Sequence, residues 1–234
     1  MQNQERELES AGQSLRIFGE LYKTDKVDWG YLPIYDKLFL NRKQQKLKLL
    51  EIGVAGGASL RMWRSYFKNA VIVGLDSAER TKNIQIEGVD IVLGDQANHS
   101  VLQGLVNKYG TFDIVIDDGG HFPQEQIKSF EFLFPFMSRQ GLYCIEDLHN
   151  SYWPEFNNGL YHSKTSIMQY LKTLSDAVQF HPQDSIPTKA PLSEAVLKEV
   201  YERFFATIPS GVRPFMESIA SIAFYKGLSV IERG

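Results

Sequence analysis

Cysteine is almost absent. The chain of 234 residues carries one, Cys144, inside the apolar run LYCI, so an intrachain disulfide is excluded and a buried, inert thiol is expected rather than a nucleophile. No apolar run approaches the ~18–20 residues that a membrane-spanning helix needs. Neither sign of charge dominates: 25 Lys and Arg against 28 Asp and Glu leave −3. No general pull toward nucleic acid or an anionic membrane is therefore expected. Internal repeats and low-complexity tracts are missing. The opening MQNQERELESAGQS is polar and acidic where a signal peptide is basic and then apolar, so a cytoplasmic location is expected. The length suits one large α/β domain with an appendage. A hydrophobic share of 43% with 23% charged residues is that of an ordinary soluble globular protein.

The dinucleotide fingerprint is missing too. GxGxxG counted from Gly53 finds Gly53, Ala55 and Ala58, which removes a pyrophosphate cradle. What stands there is E-x-G-x-x-G-G, from Glu51 to Gly57, between the apolar run LKLLEIGV (47–54) and a helix beginning near Ser59. A run buried on both faces suits a central parallel strand. A glycine-rich turn lets a ligand approach the backbone and the helix N-terminus. S-adenosylmethionine (SAM), which has an amino-acid end and a ribose but no pyrophosphate, suits a strand-end acid and open backbone.

Further strand patterns follow at Ala70–Leu75, ending in Asp76, and Val89–Leu93, ending in Gly94-Asp95-Gln96. An acid after the second strand can accept both ribose hydroxyls. Asp95 or Gln96 can meet the adenine edge. Apolar residues at helical spacing predict helices over 15–22, from Ile34 to Leu40, over 98–109, over 122–137, from Ser166 to Val178 and from Leu192 to Phe205. Four or five βα units in succession predict a doubly wound, mostly parallel sheet with right-handed crossovers. Two β-rich runs around Lys226-Gly227 predict a closing antiparallel hairpin.

The stretch Phe112–Asp147 is the chemical centre of this reading. Asp117 and Asp118 close one strand, with His121 just beyond, and Glu146 and Asp147 close the next, expected to start at Gly141. Parallel neighbours bring these acids to one rim, where open α/β sheets bind ligands. Such convergence is unfavourable without a cation, which points to a hard-metal site beside a general base.

Together the segments TDK (24–26), LLEIGVAGGASLRMW (49–63), GLD (74–76), GDQ (94–96), DIVIDDGGH (113–121) and IEDLHNSYWPEF (145–156) resemble class I SAM-dependent methyltransferases. More narrowly, they resemble the metal-dependent sugar O-methyltransferases of macrolide biosynthesis. The resemblance implies a Rossmann-like seven-stranded sheet with an antiparallel C-terminal hairpin. It implies Mg²⁺ held by Asp118, Glu146 and Asp147, and His121 as general base. SAM would lie along Glu51, Gly53, Asp76, Asp95 and Asp117, with Gln96 and Thr24 nearby; Asp117 would face the cofactor and Asp118 the metal. His149, Tyr152 and Trp153 are candidate substrate contacts, the aromatics with Phe156 either stacking on a sugar face or packing under a lid. Residues 1–46 would cover the active site, 47–234 form the methyltransferase domain, and 148–214 a helical lid insertion. Relatives often carry a His soon after TDK, where this chain has Asp28-Trp29-Gly30-Tyr31. A homo-oligomer acting on a small-molecule or glycan hydroxyl is implied. Two alternatives stay open on the residues alone: a catechol-type O-methyltransferase, and a non-catalytic SAM-binding scaffold.

Overall fold

The computed structural model describes residues 14–156, 163–180, 193–208 and 211–234. In chain order the strands are β1 (Lys48–Ile52), β2 (Val71–Asp76), β3 (Val89–Leu93), β4 (Phe112–Asp117), β5 (Met137–Ile145), β6 (Ile219–Tyr225) and β7 (Leu228–Arg233). They form one sheet in the order β3-β2-β1-β4-β5-β7-β6. The first five run parallel, and β7 is inserted antiparallel between β5 and β6. The sheet therefore reverses its winding between β1 and β4, the place where a crevice opens at the strand ends.

The helices are α1 (Leu15–Tyr22), α2 (Leu32–Phe39), α3 (Ala58–Tyr66), α4 (His99–Tyr109), α5 (Pro123–Leu133), α6 (Ile167–Gln179) and α7 (Glu194–Thr207). Asn98, Ser166 and Ser193 cap α4, α6 and α7 through side-chain oxygens that accept backbone amides, satisfying donors a helix start leaves open.

Strand pleating assigns each face its own core. Leu49, Ile72, Ile114, Ile116, Leu142 and Cys144 point to the side covered by α1, α2 and α3. Leu50, Val73, Val115, Tyr143 and Ile145 point to the side covered by α4, α5 and α6. The described part of the 1–46 segment thus shares a core with the sheet through Leu15, Phe18, Tyr35 and Phe39. Within the expected lid, Ile167, Leu171 and Leu174 of α6 are core residues; residues 157–162, 181–192 and 209–210 of that lid lie outside the described residues.

Two boundaries differ from the sequence reading. The helix expected over 122–137 closes at Leu133, followed by a 3₁₀ turn, Phe134–Phe136, because Pro135 has no amide hydrogen to continue the ladder. Strand β5 then starts at Met137 instead of Gly141. Its register against β4 jumps between Phe112↔Met137 and Ile114↔Leu142, a bulge in which Gln140 takes a φ of 61°.

Candidate active site

The carboxyl ends of β1, β2, β3 and β4 enclose a cavity of about 530 Å³ lined by Gly53, Ala55, Asp76, Asp95, Gln96, Asp118 and Gly119, among others. That size takes a nucleoside-sized ligand. Gly53 lies where β1 and β4 separate: its φ is 93°, and a Cβ there would stand 1.9 Å from the Asp118 carbonyl oxygen, so no other residue fits without moving the backbone. Asp76 fixes the turn after β1, its Oδ2 accepting from the amides of Val54 at 2.8 Å and Ala55 at 3.0 Å. Its Oδ1 accepts from the Ala78 amide at 2.7 Å. Asp95 accepts from the Ala97 amide at 2.7 Å. Gln96 donates through Nε2 to both oxygens of Asp117 at 3.1 Å and accepts the Gly120 amide at 3.2 Å.

Three residues read as cofactor contacts do not line this cavity. Asp117 is fully buried on the α5 side, where Ser129 Oγ donates to it at 2.7 Å and Tyr143 OH at 3.3 Å. Burial raises its pKa above the usual carboxylate range, against the lowering pull of Ser129 and Gln96. Glu51 is buried on the opposite face, accepting from Ser59 Oγ at 2.7 Å and Trp63 Nε1 at 3.1 Å. Thr24 is buried beside Asp25. The pleat explains the first two: Asp117 continues the Val115 side of β4, and Glu51 shares the Leu49 side of β1.

The acidic side of the rim is covered by the 3₁₀ turn Asp25–Val27 and by α2. Lys26, only 1% exposed, donates from Nζ to Asp118 Oδ2 at 2.5 Å and to Glu146 Oε2 at 2.8 Å, with Glu51 Oε1 3.4 Å away. Burial works against its ammonium, but the charges of Asp118, Glu146 and Glu51 outweigh it and hold the pKa well above that of an ordinary lysine. Glu146 takes its second bond from Tyr35 OH at 2.6 Å. Tyr31 OH donates to Asp147 Oδ1 at 2.8 Å. Sequence reasoning missed Tyr31 and Tyr35, and had Lys26 only as part of the TDK segment expected over the active site, with no role of its own. The available hint was a surplus of acids at the ends of three strands with no Lys or Arg beside them in sequence.

Asp118, His121 and Asp147 offer ligand atoms that all lie within 4.8 Å of one another. His121 Nε2 stands 3.5 Å from Asp147 Oδ2, and its buried Nδ1 has no hydrogen-bond partner among the described residues. His121 and Asp147 both take left-handed backbone conformations, φ 59° and 56°, strain of the kind retained at functional sites. Hard carboxylate oxygens on a rim that solvent reaches suit a hard divalent cation, so the donor set fits Mg²⁺. Glu146 adjoins this group with both oxygens engaged by Lys26 and Tyr35.

An aromatic shelf borders the group. Trp29 stacks on His149 at 4.7 Å between ring centroids, His149 meets Trp153 edge-on at 5.4 Å, and Phe156 meets His121 at 6.0 Å. Trp29 is 48% and Trp153 50% exposed. Tyr152 is exposed as well. His162 and His181 lie outside the described residues.

No protein-family model matches the chain. It is 37% identical over 191 residues to the demethylmacrocin O-methyltransferase of Streptomyces fradiae, covering 75% of this chain and 48% of that protein. It is 35% identical over 160 residues to the 8-demethyl-8-alpha-L-rhamnosyl tetracenomycin-C 2'-O-methyltransferase of Streptomyces olivaceus, covering 64% of this chain and 42% of that protein. The chain thus spans about half the length of the curated relatives it matches. Among solved structures it superposes on the MycE methyltransferase of the mycinamycin biosynthetic pathway, in complex with Mg, SAH and mycinamycin VI. That match has a TM-score of 0.75 and 29% identity, over 95% of this chain and 55% of that one.

Proposed function

We propose, from the premise that the chain is a class I methyltransferase by fold and a relative of the macrolide-type sugar O-methyltransferases by sequence, that it methylates a sugar hydroxyl of a glycosylated natural product. The observation that carries this reading is the grouping of Asp118, His121 and Asp147 beside a nucleoside-sized cavity. When bound, SAM supplies a methyl group activated on a sulfonium and Mg²⁺ lowers the pKa of the acceptor hydroxyl.

The chain's own residues do the rest. Asp118 and Asp147 would hold the ion, with Glu146 as the third acid of the set. Hard-ion preference for oxygen leaves His121 to the proton. His121 takes the hydroxyl proton at Nε2, and Asp147, 3.5 Å away, stabilises the imidazolium that forms. Asp76 accepts the ribose hydroxyls, Asp95 and Gln96 face the adenine, and Glu51 and Asp117 support the cavity from beneath. Thr24 contributes by seating the turn that delivers Lys26. A homo-oligomeric state belongs to the same proposal and is read by light scattering.

The test is methyl transfer from SAM to a panel of glycosides, followed by mass spectrometry. Transfer should require Mg²⁺, stop with EDTA and return with added Mg²⁺. His121→Ala should lower kcat by about 10²–10⁴-fold at unchanged SAM affinity. Activity that survives exhaustive chelation removes the metal from the proposal. Methylation of catechols but of no glycoside moves the acceptor to the aromatic class.

A further inference from the structure

Trp29 stands at the tip of a turn whose two flanks are pinned into the acidic rim. On one side Lys26 is buried against Asp118 and Glu146. On the other, Tyr31 is buried and donates to Asp147. Between them the turn closes on itself: the Trp29 amide donates to Asp25 O at 3.1 Å, the Gly30 amide to Val27 O at 3.2 Å and the Tyr31 amide to Lys26 O at 3.1 Å. Gly30 supplies the required reversal with φ 75°. A large aromatic ring is thus held at 48% exposure on a short, doubly anchored turn.

Its neighbour gives it direction. Tyr31 meets Asp147, and two residues outward on each segment Trp29 meets His149 in a near-parallel stack, 4.7 Å apart and inclined by 28°. The stack is therefore the next rung out from the Tyr31–Asp147 bond, and it continues through Trp153 and Phe156 to His121. Beyond the stack Trp29 keeps 48% of its surface exposed, aromatic area suited to the C–H face of a ring that carries hydroxyls on its edges.

We infer that Trp29 is a specificity-determining residue: its indole, backed by His149, is the platform on which a pyranoside acceptor lies while its hydroxyl reaches Asp118, His121 and Asp147. The inference rests on the sugar-acceptor reading and assigns the selection of that acceptor to a residue outside the acids and His121.

The experiment measures binding, not turnover. Calorimetry with methyl pyranosides and, separately, with SAM is run on the wild type, Trp29→Ala and Trp29→Phe. Trp29→Ala should bind the pyranoside about 3- to 10-fold more weakly, the scale of one aromatic contact, with SAM affinity unchanged. Trp29→Phe should recover most of the loss. Equal pyranoside affinity in Trp29→Ala and wild type overturns the inference and leaves the sugar reading standing. A parallel loss of SAM affinity in Trp29→Ala also overturns it, by making the residue a prop of the fold. A wild type that binds no pyranoside overturns both readings together.

Discussion

The two halves of the rim are built by different means. In the proposed cofactor half, Asp76, Asp95 and Gln96 are fixed by bonds that span 2 to 33 positions of sequence, mostly to backbone amides of the adjoining turns. In the acceptor half, Asp118, Glu146 and Asp147 are met by Lys26, Tyr31 and Tyr35 across 92 to 120 positions. The first half is a property of strand–turn–helix units. The second is a property of the tertiary fold, and a change far away in the chain can retune it.

The largest test of that contrast is Lys26→Met. It leaves the buried Glu51 and Glu146 and the half-buried Asp118 without their ammonium, a loss on the order of 3–5 kcal/mol when one partner of a buried ion pair is removed. Urea unfolding should report it, while calorimetry on the folded fraction should find SAM affinity kept. Loss of SAM binding in step with stability would show the halves to be one unit.

The converse change is Asp76→Ala, which strips the acceptor from the Val54, Ala55 and Ala78 amides. Its cost of about 1–3 kcal/mol should appear as SAM binding roughly 10- to 100-fold weaker, with pyranoside affinity retained. An equal loss for the acceptor would break the division.

The smallest effect is in pH dependence. Asp117 lies beneath the cofactor half with its folded-state pKa raised by burial. The folded chain therefore binds this proton more tightly than the unfolded chain does. Its contribution to stability is full below the unfolded value of about 3.9 and is lost as pH rises through the elevated folded value. Asp117→Asn should flatten the Tm–pH curve over that interval; an unchanged slope would show that other buried acids carry it.

This contrast also explains what was legible in the sequence. The apolar runs at β1, β2, β3 and β4, each ending in glycine or an acid, announced the sheet, and the order of βα units announced its winding. Asp76 and Asp95 were legible because a strand-end acid meets the turn beside it. Glu51 and Asp117 were legible as important but not as to placement. The pleat turns one toward α3 and the other toward α5, and only the strand register reveals which. Lys26 was legible only as part of the TDK segment over the active site, because nothing in TDK says that its ammonium reaches down to the ends of β1, β4 and β5. The bulge that moves the start of β5 to Met137 left no signal beyond Pro135 and Gly141.

The antiparallel insertion of β7 makes the two halves of the rim depend on different parts of the chain. A chain made from its N-terminus can pair β1 through β4, and so close the cofactor cavity, while β7 is still unsynthesised. The edge of β5 stays open until then. Gly227, in the turn that leads into β7, accepts the Leu148 amide, which adds a backbone tie beside Asp147 to those made by Lys26, Tyr31 and Tyr35. The proposed acceptor side therefore leans on the C-terminal hairpin, while the cavity lined by the ends of β1 to β4 does not.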